Sequence, residues 1–234
     1  MAAKIRVGLI FGGRSGEHEV SLMSAQSVMD ALDEEKYEIV PIGITREGRW
    51  IASGDPMKAL LAGDPDASRP AALLGDPSQR GLMRFEGAEA GRFFSARAVK
   101  VTRLEELDVV FPVLHGTYGE DGTVQGLLEL AGIPYVGAGV IGSVLGLDKV
   151  AFKDVMRAHE LPIVDGVWFK RKEWDADPDG VMDQVEAELD YPVFTKPANL
   201  GSSVGISKCH DRAGLTAGLA SAARYDRKLV VEAA

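Results

Sequence analysis

The chain has 234 residues, 46% of them hydrophobic, with a formal net charge of −9 and one cysteine. That length holds one large domain or two modest ones, and the apolar share supports a real core. The acidic balance argues against a nucleic-acid partner, a lone Cys209 excludes an internal disulfide or cysteine metal cluster, and neither a signal peptide nor a bilayer-spanning run is expected. A locally positive site for an anionic substrate is still compatible with these numbers. Cys209 reads as a small strand residue in a chain suited to a reducing cytoplasm.

Lys4–Phe11 is a compact apolar run ending at Gly12-Gly13, and it reads as a buried first strand of a parallel sheet. The segment Gly12-Gly-Arg-Ser-Gly-Glu17-His18-Glu19-Val-Ser21 follows. A ligand site belongs where a strand's carboxyl end meets a helix N-terminus, and glycines there permit close approach. Glu17 and Glu19 both sit where the helix dipole favours carboxylates, which accounts for one of them. Glu17, nearer the loop, is assigned to a substrate ammonium group. His18 reads as a loop residue, since no second histidine stands at zinc-site spacing. Leu22, Ala25, Met29 and Leu32 repeat at helical spacing, and Tyr37–Ile44 is a second strand. A βαβ unit predicts a doubly wound sheet.

Over residues 52–105, Gly-Asp-Pro recurs at Gly54, Gly63 and Gly75 as turn punctuation, and Arg92–Val101 reads as a strand. Leu107–Leu114 is another strand, delivering His115-Gly-Thr-Tyr-Gly-Glu-Asp-Gly122. Its three glycines suggest a backbone packed against a ligand. His115 either bonds a carbonyl in a buried turn or faces that ligand, while Glu120 and Asp121 read as capping groups. Thr117 and Glu120 have capping-box spacing, which predicts a helix running to about Ala131. Ile133–Val136 is a short strand. Gly137-Ala-Gly139-Val-Ile-Gly142 then matches the dinucleotide fingerprint and supports a rival reading, a nicotinamide-dependent oxidoreductase. That fingerprint needs an acid about 20 positions on, at the end of the next strand. Asp165, the nearest candidate, lies at the start of its strand.

A composition shift places the domain boundary after residue 141. Asp148 starts a helix with an apolar face of Phe152, Val155, Met156 and His159. Lys149 is electrostatically misplaced at a helix start. Either its stem packs on the surface with a solvated charge, or the helix start and the lysine jointly face an anion. Val164–Phe169 is a strand, Asp177-Pro178 opens a helix, and Asp183, Glu186 and Glu188 read as its solvated face. An apolar strand from Tyr191 then delivers Lys196 to a loop of Gly201, Ser202, Ser203 and Gly205, before a strand-like run Val204–Lys208. Backbone amides of such a loop form an anion nest, the serine hydroxyls add donors, and the lysine suits phosphate. The alternative is an ordinary glycine–serine hairpin with a surface lysine. A helix over Asp211–Arg224 and a strand Lys228–Glu232 complete a small α+β unit with antiparallel strands.

Taken together, Gly12-Gly13 with Glu17–Ser21, His115–Gly122, Gly142–Lys149 and Lys196–Gly205 resemble the D-alanine–D-alanine ligase family, in the family's order. The resemblance implies the ATP-grasp fold, in the α/β class. A doubly wound pre-ATP-grasp domain would span 1–141, and an ATP-grasp subdomain 142–234, stopping before the C-terminal catalytic part. It implies a cytoplasmic homodimer in peptidoglycan synthesis that uses ATP and magnesium to join two D-alanines through an acyl phosphate. On this resemblance Glu17 binds the first D-alanine's ammonium and Ser202 belongs to the network reaching that glutamate. His115 lies near the reacting carboxylate. Lys149 and Lys196 bind ATP phosphates with Ser203 beside them, Glu232 holds the adenine amino group, and Ala233 offers backbone contacts. The magnesium ligands would lie in the absent part, so the 234-residue chain alone is expected to be inactive, at most a nucleotide- or D-amino-acid-binding module.

Overall fold

The computed structural model describes residues 3–64, 69–79, 81–86 and 100–234. The chain divides into two compact units, Met1–Ser143 and Val144–Ala234. The first contains β1 (Ile5–Gly12), α1 (His18–Ala31), β2 (Tyr37–Ile44), β3 (Trp50–Ala52), α2 (Pro56–Leu61), β4 (Arg69–Leu73), β5 (Leu82–Glu86), β6 (Lys100–Glu105), β7 (Val109–Val113) and α3 (Thr123–Ala131). Its sheet runs β6-β5-β4-β3-β2-β1-β7. Only the β2-β1-β7 portion is parallel; the rest is an antiparallel arm.

Alternation along β1 sends side chains to both faces of this sheet. Ile10 packs with Ile42, Val110 and the α3 residues Val124 and Leu128. Leu9 and Phe11 point the other way, against Leu22 and Ala25 of α1 and Met57 of α2. Helices thus cover both faces of the parallel portion, which is why its strands read as continuous apolar runs.

The second unit follows α4 (Val140–Leu147), which crosses the boundary. It contains α5 (Lys149–Ala158), β8 (Gly166–Lys170), α6 (Arg171–Ala176), α7 (Pro178–Glu188), β9 (Val193–Pro197), β10 (Ser207–Cys209), α8 (Arg212–Ala222) and β11 (Lys228–Ala233). The sheet is antiparallel throughout, in the order β10-β9-β11-β8. Val193, Leu229 and Val231 bury one face against Val185 of α7 and Leu215 and Leu219 of α8. The opposite face carries a smaller apolar contact of Val150 from α5 with Ala198 and Val230.

Several sequence expectations change. The capping box at Thr117 and Glu120 does not form, and α3 begins at Thr123. The Glu120 carboxylate instead accepts the Gly116 N–H at 2.7 Å, and Asp121 accepts from Tyr118 and Thr123, so these acids close the loop on itself. Val204 and Ile206 lie in turns, and the strand starts only at Ser207. Left-handed backbone at Ser202, Ser203 and Gly205 prevents an earlier start. The face of α5 that buries is Val150; Phe152 and His159 are exposed. The strand expected at 92–101 falls largely outside the described residues. The antiparallel arm and α6 went unread because their elements are only three to six residues long. The Gly-Asp-Pro turns do punctuate it: Asp55 caps α2 and Asp76 accepts the Ser78 N–H of a short 3-10 turn, Pro77–Gln79. Among the described residues, no helix is long and apolar enough to cross a membrane.

Two helix glycines separate propensity from packing. A Cβ at Gly218 in α8 would lie 2.5 Å from Thr195 Oγ1 and 2.8 Å from Cys209 Sγ, whereas one at Gly126 in α3 meets nothing within 4 Å. Gly126→Ala is expected to stabilise by up to about 1 kcal/mol, from helix propensity. Gly218→Ala is expected to destabilise by about 1–3 kcal/mol through overpacking. Urea denaturation of both variants checks the opposite signs.

Candidate functional site

In the first unit, two neighbouring parallel strands each end in a glycine-rich loop. β1 leads into Gly12–Glu17, and β7 leads into His115–Gly122. Ser21 of α1, fully buried, ties the two strand ends together: its hydroxyl accepts the Gly12 N–H at 2.8 Å and donates to the Val113 carbonyl. The loops meet at Glu17 and Gly116. Gly116 has φ +70°, and a Cβ there would lie 2.7 Å from Glu17 Oε2, so only glycine lets the carboxylate sit against this backbone. His115 is half-buried and its Nε2 lies 3.2 Å from Ser24 Oγ. The structure therefore brings Glu17 and the His115 loop into one neighbourhood. Glu19 is turned away into an ion pair with Arg46. His18 is buried with Nδ1 2.9 Å from the Gly13 carbonyl oxygen, a loop-fixing role.

In the second unit, strand alternation and register place Lys196 beside Val230, on the sheet face that carries Glu232. The helix α5 lies over this face, with Val150 as its apolar anchor and Lys149 and Lys153 on either side. Asp148 fixes the start of α5, accepting N–H bonds from Val150 and Ala151 while pairing with Lys228 and with Asn199 Nδ2 at 3.2 Å. Glu232, with a side chain only 8% exposed, pairs with Lys196 and with Lys153 at 2.9 Å. Burial pushes the Glu232 carboxyl up, but its bonds from Lys196 and Lys153 outweigh this and hold it below the ordinary carboxylate range. Asp148 is likewise held low against burial, chiefly by Lys228.

Lys149 differs from its neighbours. Its Nζ donates to the carbonyl oxygens of Leu200 at 2.7 Å and Ala198 at 3.3 Å, and its hydrogen bonds reach no carboxylate. Burial, then repulsion from Lys196, lowers its pKa. Lys149 and Lys196 are thus neighbours; Glu232, Asp226 and Asp148 attract the Lys149 ammonium without bonding it, and its direct partners are neutral carbonyls, which fits an added anion. The loop 201–206 exposes Ser202 and Ser203, both left-handed at φ +48° and +58°. The Ala233 N–H is taken by the Asp165 carbonyl at 3.0 Å. Lys153 was missed in the sequence, although its spacing of one helical turn from Lys149 was a usable signal. Asp183 and Glu186 belong to an exposed ion-pair cluster around Arg212. Cys209 is buried, which pushes its thiol up and away from nucleophile chemistry. Among the described residues, no group of three or more histidine, cysteine, aspartate or glutamate side chains forms a metal site.

The dinucleotide reading fails on topology. The segment 137–142 follows an isolated bridge at Tyr135 and leads into α4, and the next strand, β8, joins the other, antiparallel sheet. A Rossmann unit needs that strand parallel in the same sheet.

An α/β unit with two glycine-rich loops, followed in sequence by an antiparallel sheet with a lysine-lined face, places the chain in the ATP-grasp class. Family profiles described as D-ala D-ala ligase N-terminus and C-terminus match residues 6–138 and 155–234, and the chain belongs to that family. It is 48% identical over 230 residues to the D-alanine–D-alanine ligase of Natranaerobius thermophilus, covering 98% of this chain and 60% of that protein. It is 45% identical over 236 residues to the Kineococcus radiotolerans ligase, covering 99% and 61%. Among solved structures, the VanG D-Ala:D-Ser ligase of Enterococcus faecalis matches with a TM-score of 0.79 at 34% identity, over 99% of this chain and 63% of that one. The Coxiella burnetii D-alanine-D-alanine ligase gives 0.74 at 34%, over 99% and 62%. The chain thus spans about 60% of the length of these curated relatives.

The paired carboxylates set an acid response. A carboxyl held low in the fold contributes stability above its ordinary value, 4.5 for Glu232, and loses it as pH falls through the folded value. Urea midpoints are expected to drop on acidification across that window. Glu232→Gln is expected to lower stability at neutral pH and flatten the acid slope, leaving the share that belongs to Asp148.

Proposed function

We propose that the protein, at the length of its relatives, joins two D-alanines to D-alanyl-D-alanine for peptidoglycan synthesis. ATP would phosphorylate the first carboxylate, and the second amine would attack the acyl phosphate. The carrying observation is Lys149, half-buried near Lys196 and hydrogen-bonded only to carbonyls. Such a group gains from a polyphosphate, because the anion adds a direct charge partner in a partly desolvated place.

In this reading residues 1–141 are the substrate domain and 142–234 the central ATP-grasp part. Glu17 grips the first D-alanine's ammonium, with His115 at its carboxylate and Ser202 in the connecting network. Lys149 and Lys196 take ATP phosphates, and the exposed Ser203 adds a donor. Glu232 orients Lys153 and Lys196; two lysine bonds leave a carboxylate acceptor capacity for an adenine amino group. Ala233 lines the same end of β11. Magnesium, which would neutralise phosphate charge when bound, is expected to be held by the part of the relatives' length that these 234 residues do not span. A cytoplasmic homodimer is part of the same proposal. The 234-residue chain by itself is proposed to bind nucleotide or D-alanine without turnover: purified chain with ATP, magnesium and D-alanine is expected to release no phosphate.

At the relatives' length, Glu17→Gln removes a charge-assisted contact and is expected to raise the KM for D-alanine roughly tenfold to a hundredfold, with little change for ATP. Lys196→Ala is expected to raise chiefly the ATP requirement. Steady-state kinetics with each substrate varied distinguishes them, and an unchanged KM for D-alanine in the first variant removes the role given to Glu17.

Nucleotide binding to the chain is also expected to take up protons on the alkaline side of neutrality. An anion raises the lowered pKa of Lys149, so protonation and binding favour one another. Calorimetry of ADP binding in buffers of different ionisation enthalpy reads this directly, and Lys149→Met is expected to reduce the uptake.

A further inference from the structure

A cavity of about 230 Å³ lies in the first unit, walled by Trp50, Leu114, Tyr118, Val124 and Leu127 with Arg14 among them. It is smaller than the roughly 300–1,000 Å³ of drug-sized sites. The described walls are largely apolar and aromatic, with His115, Thr117 and Thr123 the other polar side chains, and Arg14 brings their one permanent charge. Its guanidinium lies 4.9 Å from the Tyr118 ring centroid, and among the described residues no carboxylate pairs with it.

Two loops hold Arg14 in place. Gly48, at φ +89°, lets the arginine stem cross its backbone: a Cβ there would lie 2.4 Å from Arg14 Cδ. Tyr118 has φ +65°, an uncommon state for a bulky residue, fixed by the bond from its N–H to Asp121 at 2.8 Å. Strained backbone held by its surroundings is characteristic of ligand clamps. An exposed arginine that merely solvates its charge needs neither device.

We propose that this cavity is a binding site for a small monoanion with an apolar, preferably aromatic, body, such as an arylalkanoic acid. The ring enters between Trp50, Val124 and Leu127, and the carboxylate meets Arg14, whose guanidinium stands over the Tyr118 ring. Among the described residues Glu17 does not line the cavity but His115 does, so the site adjoins the place proposed for the first D-alanine and shares its Gly12–Arg14 and His115–Gly119 loops. An occupant therefore biases the positions of both residues, whatever substrate they hold.

The test is calorimetric titration of the purified chain with 3-phenylpropionate and its uncharged amide, with tryptophan fluorescence, to which Trp50 in the cavity wall contributes, as a second readout. The acid is expected to bind one to one and shift that fluorescence, with the amide about tenfold weaker, the worth of a charge-assisted hydrogen bond. Arg14→Gln, a change at an exposed side chain, is expected to bring the acid down to the amide. Leu127→Phe, which fills the cavity, is expected to abolish binding of both. No saturable binding, equal affinity of acid and amide for the unmodified chain, or an unchanged acid affinity in Arg14→Gln overturns the proposal. None of these outcomes bears on the ligase reading, which is tested by D-alanine and ATP kinetics.

Discussion

A single buried carboxylate organises the second unit's chemistry. Glu232 bonds two ammonium groups, from a strand and a helix, on one face of an antiparallel sheet. A buried ion pair is weak evidence for stability, since desolvation opposes the attraction. Its value here is positional: it fixes Lys153 and Lys196 on a face where Lys149 bonds only neutral carbonyls. The arrangement depends on elementary geometry. Strand alternation puts Lys196 and Glu232 on the same side, and Asp148 anchors the helix that adds the other two lysines.

The first unit solves a different problem, holding two loops against each other without rigid elements inside them. It does so from beneath. Parallel pairing brings the ends of β1 and β7 side by side, and the buried Ser21 hydroxyl bonds both. Above that point, backbone amides are satisfied by Glu120 and Asp121 rather than by a helix turn, leaving Glu17 against Gly116. A lone buried hydroxyl would be costly; one with both a donor and an acceptor partner rigidifies its surroundings.

Much of this was legible in the residues. The apolar runs at 4–11, 37–44 and 107–114 named the parallel strands because burial on both faces leaves no alternation to confuse them. Asp148, Asp177 and Asp211 each sit at an N-cap whose side chain accepts a helix N–H. The antiparallel arm was illegible because strands as short as Trp50–Ala52 carry no period. Thr117 and Glu120 misled because spacing alone does not say which amide a carboxylate will reach. The nearness of Lys149 to Lys196 was inferred from chemistry, whereas the part of Lys153 needed the sheet register.

The exposed margin of the parallel strands is guarded by the chain itself. At the outer side of β7, Val110 donates its N–H to the Pro134 carbonyl at 2.8 Å, and its own carbonyl accepts the Val136 N–H at 2.9 Å. The chain's own returning segment thus occupies the groups through which a foreign strand would zip onto the sheet. A foreign strand therefore finds the Val110 groups already taken, which disfavours strand-to-strand pairing at that point.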